Sequence, residues 1–345
     1  MVSRAHKPIK TSHNREQVNR VRTVDLLSIM VVSEKGLWKK VLPVYGQSSL
    51  AVLGVSIPVS YAFVQLGWKE LGLPIEPFTL VGTGLSVLLV FRNNESYARY
   101  WEARTLWGQV MASMRSFSRL SLSLSRPNAS QKGPHDDSHI PLELKEMQRE
   151  WIYRSLAFLN ALRTSLRGES ASDLDFECLA PFLAPEELET LRSQKNGPCA
   201  ILHTQGERLA DAWRADYLHP QHLKLLDEHL SLMTLAYGGC EKIARTPIPP
   251  AYGFLSRRFV WVFVLLLPLA LVEPLGWKTI ILSPLIAFLF GALQRFGEEV
   301  QHPFEAKHDG LALDSMTRQL EIELRQRLGE TELPEEIESH DAVRH

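Results

Sequence analysis

Residues 81–104 read VGTGLSVLLVFRNNESYARYWEAR, and this stretch decides the fold. An apolar run passes into a segment rich in charged, amide and aromatic side chains, without Pro or Gly between Leu85 and Arg104. This pattern predicts one continuous helix that leaves the hydrocarbon of a membrane and carries on into water. We therefore expect a membrane protein in which this helix, extending to about Leu124, is the central element.

The composition indicates that most of the chain lies outside a membrane. The chain has 345 residues and a net charge of -1, and its mean hydropathy of -0.09 is too polar for a protein lying wholly in a bilayer. The pI of about 6.9 gives no indication of nucleic-acid binding. The three cysteines have neither CxxC nor metal-ligand spacing, which indicates unpaired structural thiols in a reducing compartment. Residues 1–40 are polar and basic, so no secretory signal peptide is expected.

Four apolar runs predict transmembrane helices, arranged as two hairpins with a soluble block between them. A span needs ~20 apolar residues to cross a ~30 Å core. The spans are expected at about residues 41–66, 77–100, 256–273 and 277–295. Basic residues are fewer in the two short connections than at the opposite ends of the spans, which predicts that both termini and the central block are cytosolic.

The remaining segments complete the expected organisation. Helical periodicity is found over residues 142–166 and 312–328, and over 201–237 with a break near Pro220. The Pro-rich segment RTPIPPAY at 245–252 predicts a non-helical approach to the third span. The expected regions are a basic cytosolic segment at 1–40, a first hairpin at 41–124 that runs into a cytosolic helix, a cytosolic helical region at 125–250 with loops at 126–141 and 167–200, a second hairpin at 251–300, and a cytosolic helix with a polar tail at 301–345.

Three motifs, in order along the chain, resemble the bestrophin family and its bacterial members in particular. They are FRNNESYARYWEAR followed by LWG, CEKIARTPIPPAYGF at 240–254, and FGEEVQHPF at 296–304. The resemblance covers roughly residues 20–325. It implies an all-α membrane protein of the bacterial inner membrane, pentameric with a central pore, with four transmembrane helices per subunit and a helical cytosolic domain. It also implies an ion channel, with chloride or other anions as the family habit and cations as the alternative seen in bacterial members.

The resemblance further implies which side chains line the pore. The family's narrow neck matches Thr83, Val87 and Phe91, and its cytosolic aperture matches Ile248. Spacing of four residues puts the neck positions on one helix face with ~6 Å rise between neighbours. Five copies would form stacked rings that gate by dewetting, whereas ordinary helix packing is the alternative explanation of such a face. Thr83 replaces the larger apolar residue usual in the outermost ring, and its hydroxyl would make that ring easier to hydrate.

A charged and amide-rich signature follows the neck. Signs alternate at three- and four-residue spacing, which predicts that the helix pairs its own charges, as in Glu95–Arg99 and Arg99–Glu102. Asn93 and Asn94 would present amide dipoles to passing ions. No ring of one sign is evident, so the sequence leaves anion and cation selectivity open. The signature positions expected at the vestibule are Arg92, Asn93, Asn94, Arg99, Trp101, Glu102 and Arg104.

The acidic stretch after the fourth span bears on calcium, which eukaryotic bestrophins hold there. Val300 cannot ligate a cation and His302 is a poor calcium ligand, so we expect no high-affinity calcium site and no other metal or cofactor. Glu298 and Glu299 are then expected to be structural or pore-lining acids.

Three classes of function compete at this point. No P-loop, HExxH, CxxC or nucleophile with a base is present, so the sequence predicts no enzyme. A non-conducting membrane scaffold or sensor is the alternative to a channel. The expected partners are the lipid bilayer, permeant ions and further copies of the chain, with no nucleic acid.

Overall fold

The structure, a computed structural model, describes residues 46–127, 141–168, 174–306 and 310–337. The basic segment 1–40, the start of the first apolar run and most of the predicted loop at 126–141 lie outside these ranges. Within them the secondary structure is helical, without a strand, as the sequence predicts. The α-helices are α1 Gln47–Val64, α2 Ile75–Leu124, α3 Leu142–Arg167, α4 Phe176–Leu179, α5 Pro185–Arg192, α6 Gly197–Arg214, α7 Pro220–Arg245, α8 Pro250–Leu275, α9 Thr279–Val300 and α10 Leu313–Arg327.

Helix α2 is the longest element, with 50 residues and therefore a length of about 75 Å at 1.5 Å per residue. It ends at Leu124, as the sequence predicts. Its membrane half approaches α8 closely at Gly82, where an added Cβ would lie 2.9 Å from the ring of Phe263. Gly82 thus has the helix-packing role expected of small residues in membranes, whereas Gly84 faces open space.

The chain divides into two compact units, and the first comprises the described residues up to Ile75 together with Val264–Ala292. In this unit α1 is joined to α9 by serine hydrogen bonds. Ser48 donates to the Ala287 carbonyl at 3.1 Å, and Ser56 and Ser283 share a hydrogen bond of 2.8 Å. Small polar side chains of this kind allow close helix contact without a large polar surface in the bilayer. The outer face of α1 exposes apolar side chains, among them Leu50 and Ile57.

Among the described residues, three helical segments are long and apolar enough to span a membrane: Gln47–Val64, Lys69–Leu124 and Ala251–Val300. The third contains both α8 and α9, separated by the 3-10 turn Gly276–Lys278. Ser256 of α8 and Glu298 of α9 both contact the side chain of Arg92, so the chain reverses direction between them. Because α8 and α9 form a hairpin, this arrangement fits the four expected spans.

The second unit holds a buried helical core, in which α3, α6, α7 and α10 pack with the C-terminal half of α2. Trp107, Trp151 and Phe158 are fully buried there. Helix α10 is joined to α3 through Asp314, which binds Arg163 and Arg167. Burial opposes ionisation of Asp314, but hydrogen bonds and charge from the two arginines outweigh it and lower the pKa of this carboxyl. The helices expected around 142–166 and 312–328, and the break near Pro220, are confirmed.

The connection between α7 and α8 differs from the sequence prediction. Segment 245–252 was expected to be non-helical throughout, but only residues 246–249 lack helical structure, because α8 already begins at Pro250. A proline at the first helical position is favourable, since its missing N–H would have had no partner there. The sequence prediction of a Pro-rich, non-helical segment up to Tyr252 is therefore wrong from Pro250 onward, where a helix begins.

Candidate functional site

Three side chains expected at the neck lie on the exposed face of α2. Val87 is 49% exposed and Phe91 is 63% exposed, and Thr83 is exposed as well. We refer to Thr83, Val87 and Phe91 as the exposed row. The Thr83 hydroxyl donates to the Thr79 carbonyl at 2.8 Å, so its donor is used by the backbone and only its acceptor sites remain for solvent. This position therefore offers less polarity than the bare sequence indicates.

The exposed row continues along the C-terminal half of α2 with small or polar side chains. The exposed positions at the same helical spacing are Asn94, Ala98, Thr105, Gln109 and Ala112. Trp101, Glu102 and Arg104 are exposed beside them. One face of a single helix is thus apolar at its membrane end and hydrophilic beyond Phe91.

On the opposite face of α2, Arg92 is buried, with only 2% of its side chain exposed. Its guanidinium donates to the Ser256 hydroxyl at 3.2 Å and lies 3.6 Å from a carboxylate oxygen of Glu298. Arg257 binds the same carboxylate at 2.8 Å, and Gln294 donates to it at 3.4 Å. A buried guanidinium is tolerated only with a counter-charge and hydrogen-bond partners, so Glu298 makes burial of Arg92 possible.

Asn93 also turns into the protein. Its amide donates to the Leu293 carbonyl at 2.9 Å, and its side-chain oxygen lies where a Cβ on Gly297 would be. Residue 297 must therefore be glycine for α9 to approach this side chain. Of the two asparagines expected to face ions, only Asn94 is exposed.

Arg99 binds carbonyl groups instead of the acids on its own helix. Its guanidinium donates to the carbonyls of Gln301 at 3.0 Å and Thr246 at 2.9 Å, and to that of Ile243. The carbonyls at the end of α7 have no partner within their helix, and a guanidinium has five donors with which to satisfy them. Arg99 thereby holds the α7–α8 connection, which contains the half-buried Ile248, against α2.

The pairing expected within α2 is therefore wrong. Neither Glu95–Arg99 nor Arg99–Glu102 forms an ion pair in the part of the chain that the structure describes. Glu102 instead pairs with Lys242 of α7 at 2.9 Å. The carbonyls of neighbouring elements lie within reach of Arg99, and this tertiary arrangement overrides the weak preference for pairs along one helix.

The three motifs that resemble bestrophins thus meet in space. Arg92 and Arg99 belong to the segment at 91–104, and the segments at 240–254 and 296–304 supply partners for them. The sequence matches the family described as Bacterial/Fungal Bestrophin protein over residues 18–326. The chain belongs to the bestrophin family.

Named relatives and solved structures agree with this assignment. A voltage-dependent anion channel-forming protein of Mesorhizobium japonicum is 34% identical, over 81% of this chain and 84% of its own length. The voltage-dependent anion channel-forming protein YneE of Escherichia coli is 32% identical, over 84% of this chain and 89% of its own. The crystal structure of a bacterial bestrophin homolog from Klebsiella pneumoniae superposes with a TM-score of 0.73 at 27% identity, covering 83% of this chain and 98% of that chain. The protein has the all-α bestrophin fold and is a membrane protein.

In this bestrophin the two acids after the fourth predicted span have different surroundings. Glu298 holds Arg92 and Arg257, whereas Glu299 lies 4.0 Å from Arg295 on its own helix. His302 is joined to Gln301 by a hydrogen bond of 2.7 Å. Across the described residues, no group of three or more His, Cys, Asp or Glu side chains is arranged to hold a metal ion.

The sequence did not reveal which residues of other helices bind the side chains on the face of α2 opposite the exposed row. Arg257 and Gln294 donate to Glu298, the hydroxyl of Ser256 accepts from Arg92, and Lys242 binds Glu102. Lys242 is in the second motif and Arg257 flanks the third predicted span, but the residues they pair with are 140 and 41 positions away. Pairs at such separations leave no periodic signal in one sequence.

Proposed function

We propose that this bestrophin is an ion channel in which α2 lines a central pore formed by five copies of the chain. The observation that carries the proposal is the exposed row. Val87 and Phe91 are large apolar side chains, half or more exposed, on a helix whose opposite face is buried. The same face becomes polar beyond Phe91, as expected of a helix that passes from a narrow throat into a water-filled vestibule.

The apolar throat provides the gate in this proposal. Rings of Val87 and Phe91 would be separated by ~6 Å along the axis. A narrow apolar ring offers no polar partner for water, so it empties and blocks ions until it widens. Because the donor of Thr83 is bonded to the backbone, the outermost ring is less hydrated than a free hydroxyl would make it, although gating rests mainly on Val87 and Phe91.

Ile248 forms the second constriction in this proposal, at the cytosolic exit. It lies between Pro247 and Pro249, whose rings fix the backbone and remove its donors. Arg99 supports the segment by binding the carbonyl of Thr246, two residues before Ile248. A stiff, anchored loop can hold one apolar side chain at a constant distance from the pore axis.

The printed names of the Mesorhizobium and Escherichia relatives support anions, with chloride the expected physiological ion. A cation-selective pore of the same fold is the alternative. We place the protein in the bacterial inner membrane with both termini cytosolic. The short connections of the two hairpins contain Lys69 and Lys278, whereas Arg92, Arg257 and Arg258 lie at the opposite ends of the spans, in accord with the positive-inside rule.

Current recordings in planar bilayers test the proposal with alanine variants of the neck and a matched valine control. Purified wild-type protein is compared with Val87→Ala, Phe91→Ala and Val81→Ala. Val81 is 56% exposed on α2 but lies about 120° around the helix axis from Val87. We expect the two neck truncations to raise the open probability or the current because a wider throat stays hydrated, and we expect Val81→Ala to behave as wild type.

The scaffold alternative predicts a different outcome. A non-conducting scaffold or sensor would give no current from any variant, although size measurements would show intact pentamers. Equal effects of Val81→Ala and Val87→Ala would contradict the assignment of the neck to the exposed row, even if the protein conducts.

A further inference from the structure

The three charged residues nearest the neck, Arg92, Glu95 and Arg99, divide between the two faces of α2 according to sign. The nearest basic residues, Arg92 and Arg99, both bind partners within the protein. Arg92 pairs with Glu298, and Arg99 donates to backbone carbonyls. Glu95, which lies between them in sequence, is exposed. The sequence shows alternating signs here, but the fold removes the positive charges from the exposed face and leaves the negative one on it.

Glu95 is exposed next to Asn94, with which the face of the exposed row continues, and it lies about 40° around the helix axis from Phe91. It follows Phe91 as Phe91 follows Val87, four residues later and ~6 Å further along the helix. Within the described ranges its carboxylate has neither a hydrogen-bond partner nor an ion-pair partner. Its charge is therefore available to ions that leave or enter the neck.

The other exposed charges of the signature are compensated or distant. Glu102 pairs with Lys242. Arg104 is exposed, but it lies about 20 Å from Phe91 along the helix axis, beyond the ~8–10 Å over which exposed charges act at physiological ionic strength. Glu95 is thus the first uncompensated charge that an ion meets at the cytosolic mouth of the neck.

Resting on the proposed channel function, we infer that Glu95 is a selectivity-determining residue. Five copies form a ring of carboxylates just inside the Phe91 ring. The ring raises the local concentration of cations and lowers that of anions at the narrowest part of the path. It therefore sets the chloride-to-sodium permeability ratio of this chain below the value that its neck alone would give.

Reversal potentials under asymmetric sodium chloride test this inference directly. The purified channel is compared with Glu95→Gln, Glu95→Lys and Asn94→Asp, the last of which adds a carboxylate at the neighbouring exposed position. We expect the chloride-to-sodium permeability ratio to rise at least about twofold in Glu95→Gln and further in Glu95→Lys, and to fall in Asn94→Asp. Glu146→Gln serves as the control, because Glu146 is an exposed glutamate on α3 and the charge change is identical.

Ionic strength separates a through-space charge from a change of shape. The difference between wild type and Glu95→Gln should shrink as salt rises from 0.1 M to 1 M, because the Debye length falls from about 10 Å to about 3 Å. A permeability ratio in Glu95→Gln that equals that of the conducting wild type would overturn the inference and leave the channel proposal standing. Absence of current from every assembled variant would overturn both.

Discussion

The two faces of α2 contain residues of the same types, but one face is buried against neighbouring helices and the other is exposed. On the buried face Trp107, Arg99 and Asn93 are held by core packing and by hydrogen bonds to neighbouring helices. On the exposed face Trp101, Arg104 and Asn94 are free of such contacts among the described residues. The buried face fixes the helix in the subunit, and the exposed face is left for solvent, ions or other subunits. A residue's type therefore says less about its role than the face on which it lies.

The largest expected difference between the faces is at the two tryptophans. Trp107 is fully buried and Trp101 is 60% exposed. We expect Trp107→Ala to lower the free energy of unfolding by about 3–5 kcal/mol, because it removes a large core side chain and leaves a cavity. Trp101→Ala should cost less than about 1 kcal/mol in the subunit. Thermal unfolding of detergent-solubilised protein measures both, and equal losses would show that the exposed face is also part of a subunit core.

The next largest effect is expected at the counter-charge of Arg92. Glu298→Gln leaves a guanidinium that is only 2% exposed without its acid, which should destabilise the protein by about 3 kcal/mol. The neighbouring Glu299→Gln is the matched control and should cost less than about 1 kcal/mol, because its 4.0 Å contact with Arg295 is long and involves a guanidinium that is 43% exposed.

A double variant separates this charge effect from packing. Arg92→Met combined with Glu298→Gln removes the buried charge together with its partner, so it should recover much of the stability lost in Glu298→Gln. If the double variant is less stable than Glu298→Gln, burial of an unpaired charge is not the cause of the loss.

A smaller effect is expected at the two arginines. Lysine in place of Arg99 keeps the charge but loses the fork that reaches three carbonyls, so Arg99→Lys should lower stability by about 1–2 kcal/mol. Arg104→Lys should be neutral within about 0.5 kcal/mol, since Arg104 is exposed. Hydrogen exchange of the Thr246 amide, which donates to the Lys242 carbonyl at 3.0 Å, checks the cause. Faster exchange in Arg99→Lys alone is expected, and unchanged exchange would contradict the anchoring role.

Much of the fold follows from local patterns in the sequence. The end of α2 at Leu124 and the position of α10 are predicted because periodicity is strong there and helix breakers are absent. The start of α8 is predicted too late because the whole Pro-rich segment 245–252 is expected to be non-helical, although proline suits a first helical turn.

The contacts of the site are harder to predict from the sequence than the helices, because they join distant segments. The exposed row comes from matching the family's motif, since apolar spacing alone also describes ordinary packing. Arg92 is buried by residues of α8 and α9, and Arg99 donates to carbonyls at the end of α7 and beyond it. These contacting residues lie more than 140 positions away in sequence. Local charge spacing favours ion pairs within the helix. It does not indicate that folding will place the backbone carbonyls of distant segments next to Arg99.

Metal block of introduced cysteines shows whether the exposed row faces a pore. The native thiols are removed by Cys178→Ser, Cys199→Ser and Cys240→Ala, and Val87→Cys and Val81→Cys are compared in planar bilayers. Thiolates are soft ligands, and five of them converging on one axis would hold Cd²⁺ across the path. We expect micromolar Cd²⁺ to block current through Val87→Cys, reversibly on adding a chelator, and to leave Val81→Cys conducting. Block of Val81→Cys with no block of Val87→Cys would contradict this expectation.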